Sequence, residues 1–276
     1  MEAFQIGDIV ARKSHGHDTY FKIINVIEKR GAKPVYVLRG VLYRIEADSY
    51  GDDLVRQDAR QVRLHTSRFI ADARKKAYGG RIQRGGPYRG FFPVIRYRNR
   101  PGRVLHIDSS GEFIEMCVKH YRDAGVLVYT QQAAESEQPN LVGSLLRRYS
   151  PDILVLTGHD GIGKNCSKYS LDCYRNSKYF VQSVTEARRY ESDPDSLAIF
   201  AGACQSYYEA IMRAGANFAS SPGRVFINAL DPAIVSERIS LTDTRSYVSP
   251  EEIADVTVSG SDGISGVRTR GQMRRV

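Results

Sequence analysis

From Arg103 onward the chain alternates short apolar runs with segments of helical period, and this alternation restricts the possible folds more than any other feature. Residues 104–107 form an apolar run that ends in Asp108. Residues 111–124 follow, with Phe113, Met116, Cys117, Tyr121 and Ala124 on one helical face. A strand is predicted at 126–130, a helix at 141–149, and a strand at 153–157 that runs into Gly158-His159-Asp160-Gly161. A helix near 184–190 leads to a strand at 197–201 that ends in Gly202-Ala203-Cys204, with a helix at 205–214 and a fifth strand at 225–228. Repeated strand-helix units imply an open, mostly parallel sheet with right-handed crossovers and helices on both faces, an α/β domain over 103–276.

The first 65 residues read differently. Short strands at 8–12, 20–28, 35–39 and 42–47, separated by Gly, Lys-Pro and charged breaks, predict a small SH3-like β-barrel domain over 1–65. Between the two lies a basic stretch, 66–102. Across 66–103 eleven Arg or Lys face one acid, Asp72, a balance of +10. The whole chain carries +9, so the remainder is +9 − 10 = −1. Basicity therefore belongs to this segment. Its glycines (Gly79-Gly80, Gly85-Gly86, Gly90, Gly102) predict an Arg/Gly-rich linker with at most one short helix near 69–77. Bound nucleic acid is the alternative use of its interleaved Arg, Tyr and Phe; a solvated connector is the plainer one.

No apolar run is long enough to span a bilayer, and residues 1–20 lack the apolar centre of a signal peptide, so a soluble, cytoplasmic protein is expected. The four cysteines (Cys117, Cys166, Cys173, Cys204) show neither CxxC pairs nor zinc spacing, so neither a disulfide framework nor a metal or other cofactor is expected. Cys166 and Cys173 read as exposed loop thiols.

Ligands of open α/β sheets bind beyond the carboxyl ends of the strands, and Asp108, His159 and Cys204 all sit at such ends. A thiol needs a base to become nucleophilic, and an imidazole can supply one and then protonate a leaving amine. Each residue also has a structural alternative: core packing for Cys204 and His159, and capping of the helix near Gly111 for Asp108. Gly158 to Asn165 further approaches a phosphate-binding loop, but Asn165 stands where a magnesium-binding hydroxyl belongs, which leaves nucleotide hydrolysis as a competing reading.

An apolar strand ending in His, followed by a second ending in Ala-Cys, resembles the caspase, legumain, gingipain and separase class of cysteine peptidases. The resemblance spans about residues 103–230. It implies a cysteine endopeptidase with His159 as base, Cys204 as nucleophile and an oxyanion hole of the Asp160 and Cys204 backbone N–H groups. It also implies Asp108 as the acid that reads Arg or Lys before the cut. That class has Gly directly after the His, where this chain has Asp160. The whole chain resembles a family of sporulation-specific proteases of spore-forming bacteria. This implies processing of spore-coat proteins and germination-enzyme precursors in the mother cell, with association with the coat. An enzyme cutting after Arg would find sites for self-cleavage in its own linker, between Arg74 and Arg103, or in the tail at 268–275.

Overall fold

The structure, a computed structural model, describes residues 4–28, 30–83 and 99–275. The N-terminal part is a five-stranded antiparallel sheet of β1 (Ile9–Arg12), β2 (Phe21–Ile27), β3 (Val35–Gly40), β4 (Glu46–Tyr50) and β5 (Leu54–Arg56), in the order β4-β3-β2-β1-β5. Its buried face carries Val10, Phe21, Ile23, Leu38 and Leu54. Three of the four expected strands stand close to their predicted bounds. The fourth differs: residues 42–45, read as strand, leave the sheet, and β4 starts at Glu46 instead.

Helix α1 (Ala59–Gln83) corrects the linker reading. It is 25 residues long, begins before residue 66, and runs through Gly79-Gly80. Its inward stripe, Val62, Ile70, Ala73 and Ala77, has the i, i+3/i+4 spacing that buries one face. Two glycines cost about 1 kcal/mol each in a helix interior, which that burial outweighs. The remaining linker residues, 84–98, lie outside the described residues, and with them the nucleic-acid reading.

The second sheet follows the predicted alternation. It contains β6 (Val104–Asp108), β7 (Val128–Gln132), β8 (Ile153–Leu156), β9 (Ala198–Ala201), β10 (Phe218–Ser220) and β11 (Ile264–Gly266), in the order β11-β10-β9-β8-β6-β7. All pairs are parallel except β10 with β11. The central strands β6, β8 and β9 are buried on both faces, which is why they read as nearly unbroken apolar runs. Side chains alternate between two cores. Leu105, Ile107, Leu154, Leu156, Ile199 and Ala201 pack with α3 (Gln138–Tyr149), α4 (Ser177–Tyr190) and α5 (Tyr208–Arg213). Val104, Ile153, Val155, Ala198 and Phe200 pack with α1, α2 (Gly111–Ala124), α6 (Asp231–Ser240) and α7 (Pro250–Val256). That second core continues without a break into the N-terminal sheet.

The expected strand at 225–228 is not in this sheet; β10, seven residues earlier, takes its place. Val225, Phe226 and Ile227 are apolar because they pack on the core and edge the site described next.

Candidate active site

Strand order reverses at β6, whose neighbours are β7 on one side and β8 on the other, so a crevice is expected at the carboxyl ends of β6 and β8. The Leu156↔Ala201 register puts the loops after β8 and β9 side by side on that rim. Asp108, His159 and Cys204 occupy it, and all three are fully buried.

Asp108 is not the cap of α2. Ser110 is, its hydroxyl accepting the Phe113 N–H at 3.3 Å, while Asp108 Oδ1 accepts the Ser110 N–H at 2.8 Å. The other carboxylate oxygen accepts Thr157 Oγ1 at 2.7 Å and pairs with the guanidinium of Arg44. Burial alone would raise this carboxyl; the Arg44 charge and the hydrogen bonds override it and hold Asp108 far below the usual carboxylate range.

His159 is held from three sides. Its Nδ1 lies 3.3 Å from Ser109 Oγ, which donates to Glu135 Oε1 at 2.6 Å, and the same Glu135 oxygen accepts the His159 backbone N–H at 2.6 Å. The ring stacks on Phe113, centroids 5.3 Å apart. Nε2 is buried with no hydrogen-bond partner among the described residues. Burial, with the charges of Arg39 and Arg44, holds the imidazole well below its ordinary pKa and so favours the neutral ring. Gly158 makes this possible: a Cβ there would lie 2.2 Å from Glu135 Oε1. Ser109 and Glu135 escaped the sequence reading; the glycine before His159 was their only trace.

Cys204 follows a turn that needs glycine, since Gly202 has φ +111°. The thiol accepts the Ile227 N–H at 3.0 Å. Burial pushes it up to about 12, against the lowering effects of that amide and of Arg44. Asp160 ties the two loops together. Its carboxylate accepts Gly161 N–H at 2.9 Å, Asn176 N–H at 2.8 Å, Ser206 Oγ at 2.9 Å, and Ser177 Oγ. Burial pushes this carboxyl up to about 6, the hydrogen bonds opposing. The Asp160 side chain is therefore directed away from the rim, into the junction of the two loops.

The backbone N–H groups of Asp160 and Cys204 converge on one oxygen: the carbonyl of Arg44, at 3.2 and 3.1 Å. Residues 42–46, from the connection between β3 and β4 into the first residue of β4, lie extended across the rim. Arg44 N–H donates to Ile227 O at 3.4 Å, Leu42 O accepts from Ala229 N–H at 3.1 Å, and Glu46 N–H donates to Asp160 O at 3.1 Å. The 227–229 segment thus pairs antiparallel with 42–44, as the Tyr43↔Asn228 bridge records. The Arg44 side chain is fully buried. Its guanidinium pairs with Asp108, donates to Ala229 O at 3.0 Å and lies 4.8 Å from the Phe113 ring centroid. Cys117 completes the pocket, its sulfur 3.9 Å from Arg44 Nη2 and its thiol pushed by burial to about 12. Tyr43 packs edge-on against Phe69 of α1 and beside Phe226. Nothing in the sequence singled out Arg44.

The competing phosphate-loop reading fails on local structure. No α-helix follows Lys164; the next begins at Ser177. Cys166 and Cys173, expected as free thiols, form a disulfide. Their eight-residue loop is too short to show as a framework in the spacing. Among the described residues no group of His, Cys, Asp or Glu could hold a metal ion, and no helix is long and apolar enough to cross a membrane.

The peptidase family described as YabG peptidase U57 matches residues 5–276 of this chain. The chain is 36% identical over 280 residues to the sporulation-specific protease YabG of Bacillus subtilis (strain 168), covering 98% of this chain and 97% of that protein. No solved structure matches.

Proposed function

The chain belongs to the YabG peptidase family, and from that premise we propose that it is a cysteine endopeptidase of caspase-like architecture, with an SH3-like N-terminal domain, that cuts after Arg or Lys. Cys204 is the nucleophile, His159 the base, Asp160 and Cys204 N–H the oxyanion hole, and Asp108 the acid of the specificity pocket. The observation that carries this reading is the placement of a single arginine. Its carbonyl oxygen lies between two backbone N–H donors, one of them the nucleophile's own, while its guanidinium is buried on a carboxylate. Two donors aimed at one carbonyl oxygen are what an acyl-transfer site needs to hold a developing oxyanion.

With a substrate Arg so placed, His159 takes the Cys204 proton as sulfur adds to the carbonyl carbon, and returns it to the departing amine. Water then hydrolyses the thioester. A neutral imidazole and a neutral buried thiol favour transfer during attack over a preformed ion pair. Glu135, acting through Ser109, orients the ring. Substrates among spore-coat proteins and germination-enzyme precursors of the mother cell accord with the sporulation-specific role of the Bacillus subtilis relative. The test is mass spectrometry of an Arg-containing protein incubated with the chain or its variants. Cys204→Ala and His159→Ala must abolish cuts after Arg and Cys117→Ala must not; loss with Cys117→Ala alone would show the nucleophile to be misassigned.

A further inference from the structure

We propose that the Cys166–Cys173 disulfide is a thiol-exchange site for a low-molecular-weight thiol or disulfide, and that the oxidised pair holds the loop after His159 in its working form while the reduced pair releases it. The inference rests on the peptidase reading above and adds a control to the same site.

The chain after His159 turns back on itself as a hairpin. Gly161 O accepts the Arg175 N–H at 3.0 Å and the Gly163 N–H donates to Cys173 O at 2.8 Å, which makes Ile162 and Tyr174 an antiparallel pair. Nearer the base, Asn176 Nδ2 donates to His159 O at 2.7 Å, and the Asn176 N–H donates to the Asp160 carboxylate at 2.8 Å. The hairpin also touches the loop that carries Cys204. The Ile162 N–H donates to Gln205 Oε1 at 3.3 Å, the Tyr174 ring stacks on Tyr207 with centroids 5.2 Å apart, and Tyr207 Oη donates to Tyr169 O at 3.0 Å. Just beyond the Ile162–Tyr174 pair the disulfide closes the arc of residues 163–173. That arc carries no α-helix and is mostly exposed, so the cross-link, more than burial, restricts how far the two arms can part. Asp160, whose N–H is one of the two oxyanion donors, stands only two residues before Ile162.

Exposure divides the four cysteines. Cys166 is exposed and Cys173 half-buried, so a dissolved thiol reaches this pair. Lys164 and Lys168 stand two residues to either side of Cys166, against one acid in the arc, Asp172, and this charge favours both an incoming thiolate and a thiolate on Cys166. Cys117 and Cys204 are fully buried, and burial pushes both thiols up to about 12, so they exchange far more slowly. An oxidant that joins Cys166 to Cys173 therefore leaves the nucleophile a thiol. In reduction, an external thiolate attacks the Cys166 sulfur, the S–S bond breaks, and Cys173 leaves as a thiolate that takes up a proton. A second external thiol then attacks the mixed disulfide, so two molecules of thiol become one disulfide and the protein gains two S–H groups. Oxidation by a small disulfide is the reverse.

The experiment equilibrates the purified full chain with reduced or with oxidised glutathione and measures kcat and KM on an Arg peptide in each state. The cysteines are then alkylated under denaturing conditions and mapped by mass spectrometry. The oxidised chain is expected to carry the Cys166–Cys173 bond, with Cys204 alkylated as a free thiol. Reduction should lower kcat by about 10-fold and change KM by less than about twofold, because loosening an oxyanion donor costs less than the roughly 10²-fold or more of deleting one. Return to oxidised glutathione should restore the wild-type rate. The Cys166→Ser, Cys173→Ser double variant should show the kcat of the reduced chain in both buffers. The proposal is overturned if the pair stays as thiols in oxidised glutathione, or if the double variant responds to glutathione as the wild type does, which would place the effect at Cys204 or Cys117. A chain that cuts Arg peptides equally in both states keeps the peptidase reading and loses this control; a chain that cuts none in either state loses both.

Discussion

The two faces of the parallel sheet are made by alternate residues of the same strands and have opposite characters. The face under α3, α4 and α5 is aliphatic and closed, lined by Leu105, Ile107, Leu154, Leu156 and Ile199. The other face carries His106 and Asp108 on β6, and continues through Ile45 and Leu38 into a second sheet drawn from the first 56 residues. Polar groups are buried there in pairs: His106 with Thr157 at 2.9 Å, His120 with Glu237 at 2.6 Å, Asp108 with Arg44. Buried polar and charged groups cost stability unless paired, and apolar residues in their place are often neutral or better. One face therefore supplies stability and the other gives some of it up to hold buried polar groups.

The sharpest way to break that contrast is to exchange the roles. Cys204→Ala should lower hydrolysis of Arg peptides by about 10⁴-fold or more with little change in thermal midpoint. Leu154→Ala, on the aliphatic face, should cost about 2–5 kcal/mol of stability yet leave kcat/KM per folded molecule intact. A Leu154→Ala protein that folds fully but has lost catalysis would show the faces to be coupled.

Next in size is thiol reactivity. With Cys204 pushed up to about 12, about one thiol in 10⁴ is ionised at pH 8, against about a quarter for a cysteine near 8.5, so alkylation should be about 10³-fold slower than for a free thiol. Its rate should climb tenfold per pH unit up to pH 10, because the group is still far below its midpoint. Fast, pH-flat labelling of Cys204 would mean that residues 42–46 do not cover it.

Asp108→Asn should reduce the preference for Arg over citrulline by about 10²-fold. The sign of its pH effect follows from a folded pKa depressed below the unfolded one. Ionised Asp108 stabilises above the unfolded value near 3.9, and that contribution is lost as pH falls further. Denaturation by acid should accordingly show a shallower limb in the variant. The smallest effect belongs to Ser110→Ala, about 1 kcal/mol of stability from loss of the α2 cap with specificity unchanged, read by urea unfolding beside the peptide pair.

What could be read in advance divides along the same line. Apolar runs announce strands buried on both sides, so β6, β8 and β9, with their terminal Asp108, His159 and Cys204, were legible. Residues 42–45 and 225–227 were misread as strands for one reason: an extended apolar segment carries the same pattern whether it joins a sheet or lies across a cleft. Arg44 was invisible because arginine is rarely buried, and only the three-dimensional meeting with Asp108 and Phe113 explains it. Gly79-Gly80 mask the length of helix α1 in the sequence, because its inward stripe of Val62, Ile70, Ala73 and Ala77 is sparse.

The ladder between β3 and β4 runs from Val35↔Tyr50 to Arg39↔Glu46, with the loop 41–45 at its closed end. Beyond that end the chain is bonded across the rim to Ile227, Ala229 and Asp160. The amides of Arg44 and Glu46 should therefore exchange with deuterium only when the two sheets part, so that their exchange rates report that opening directly.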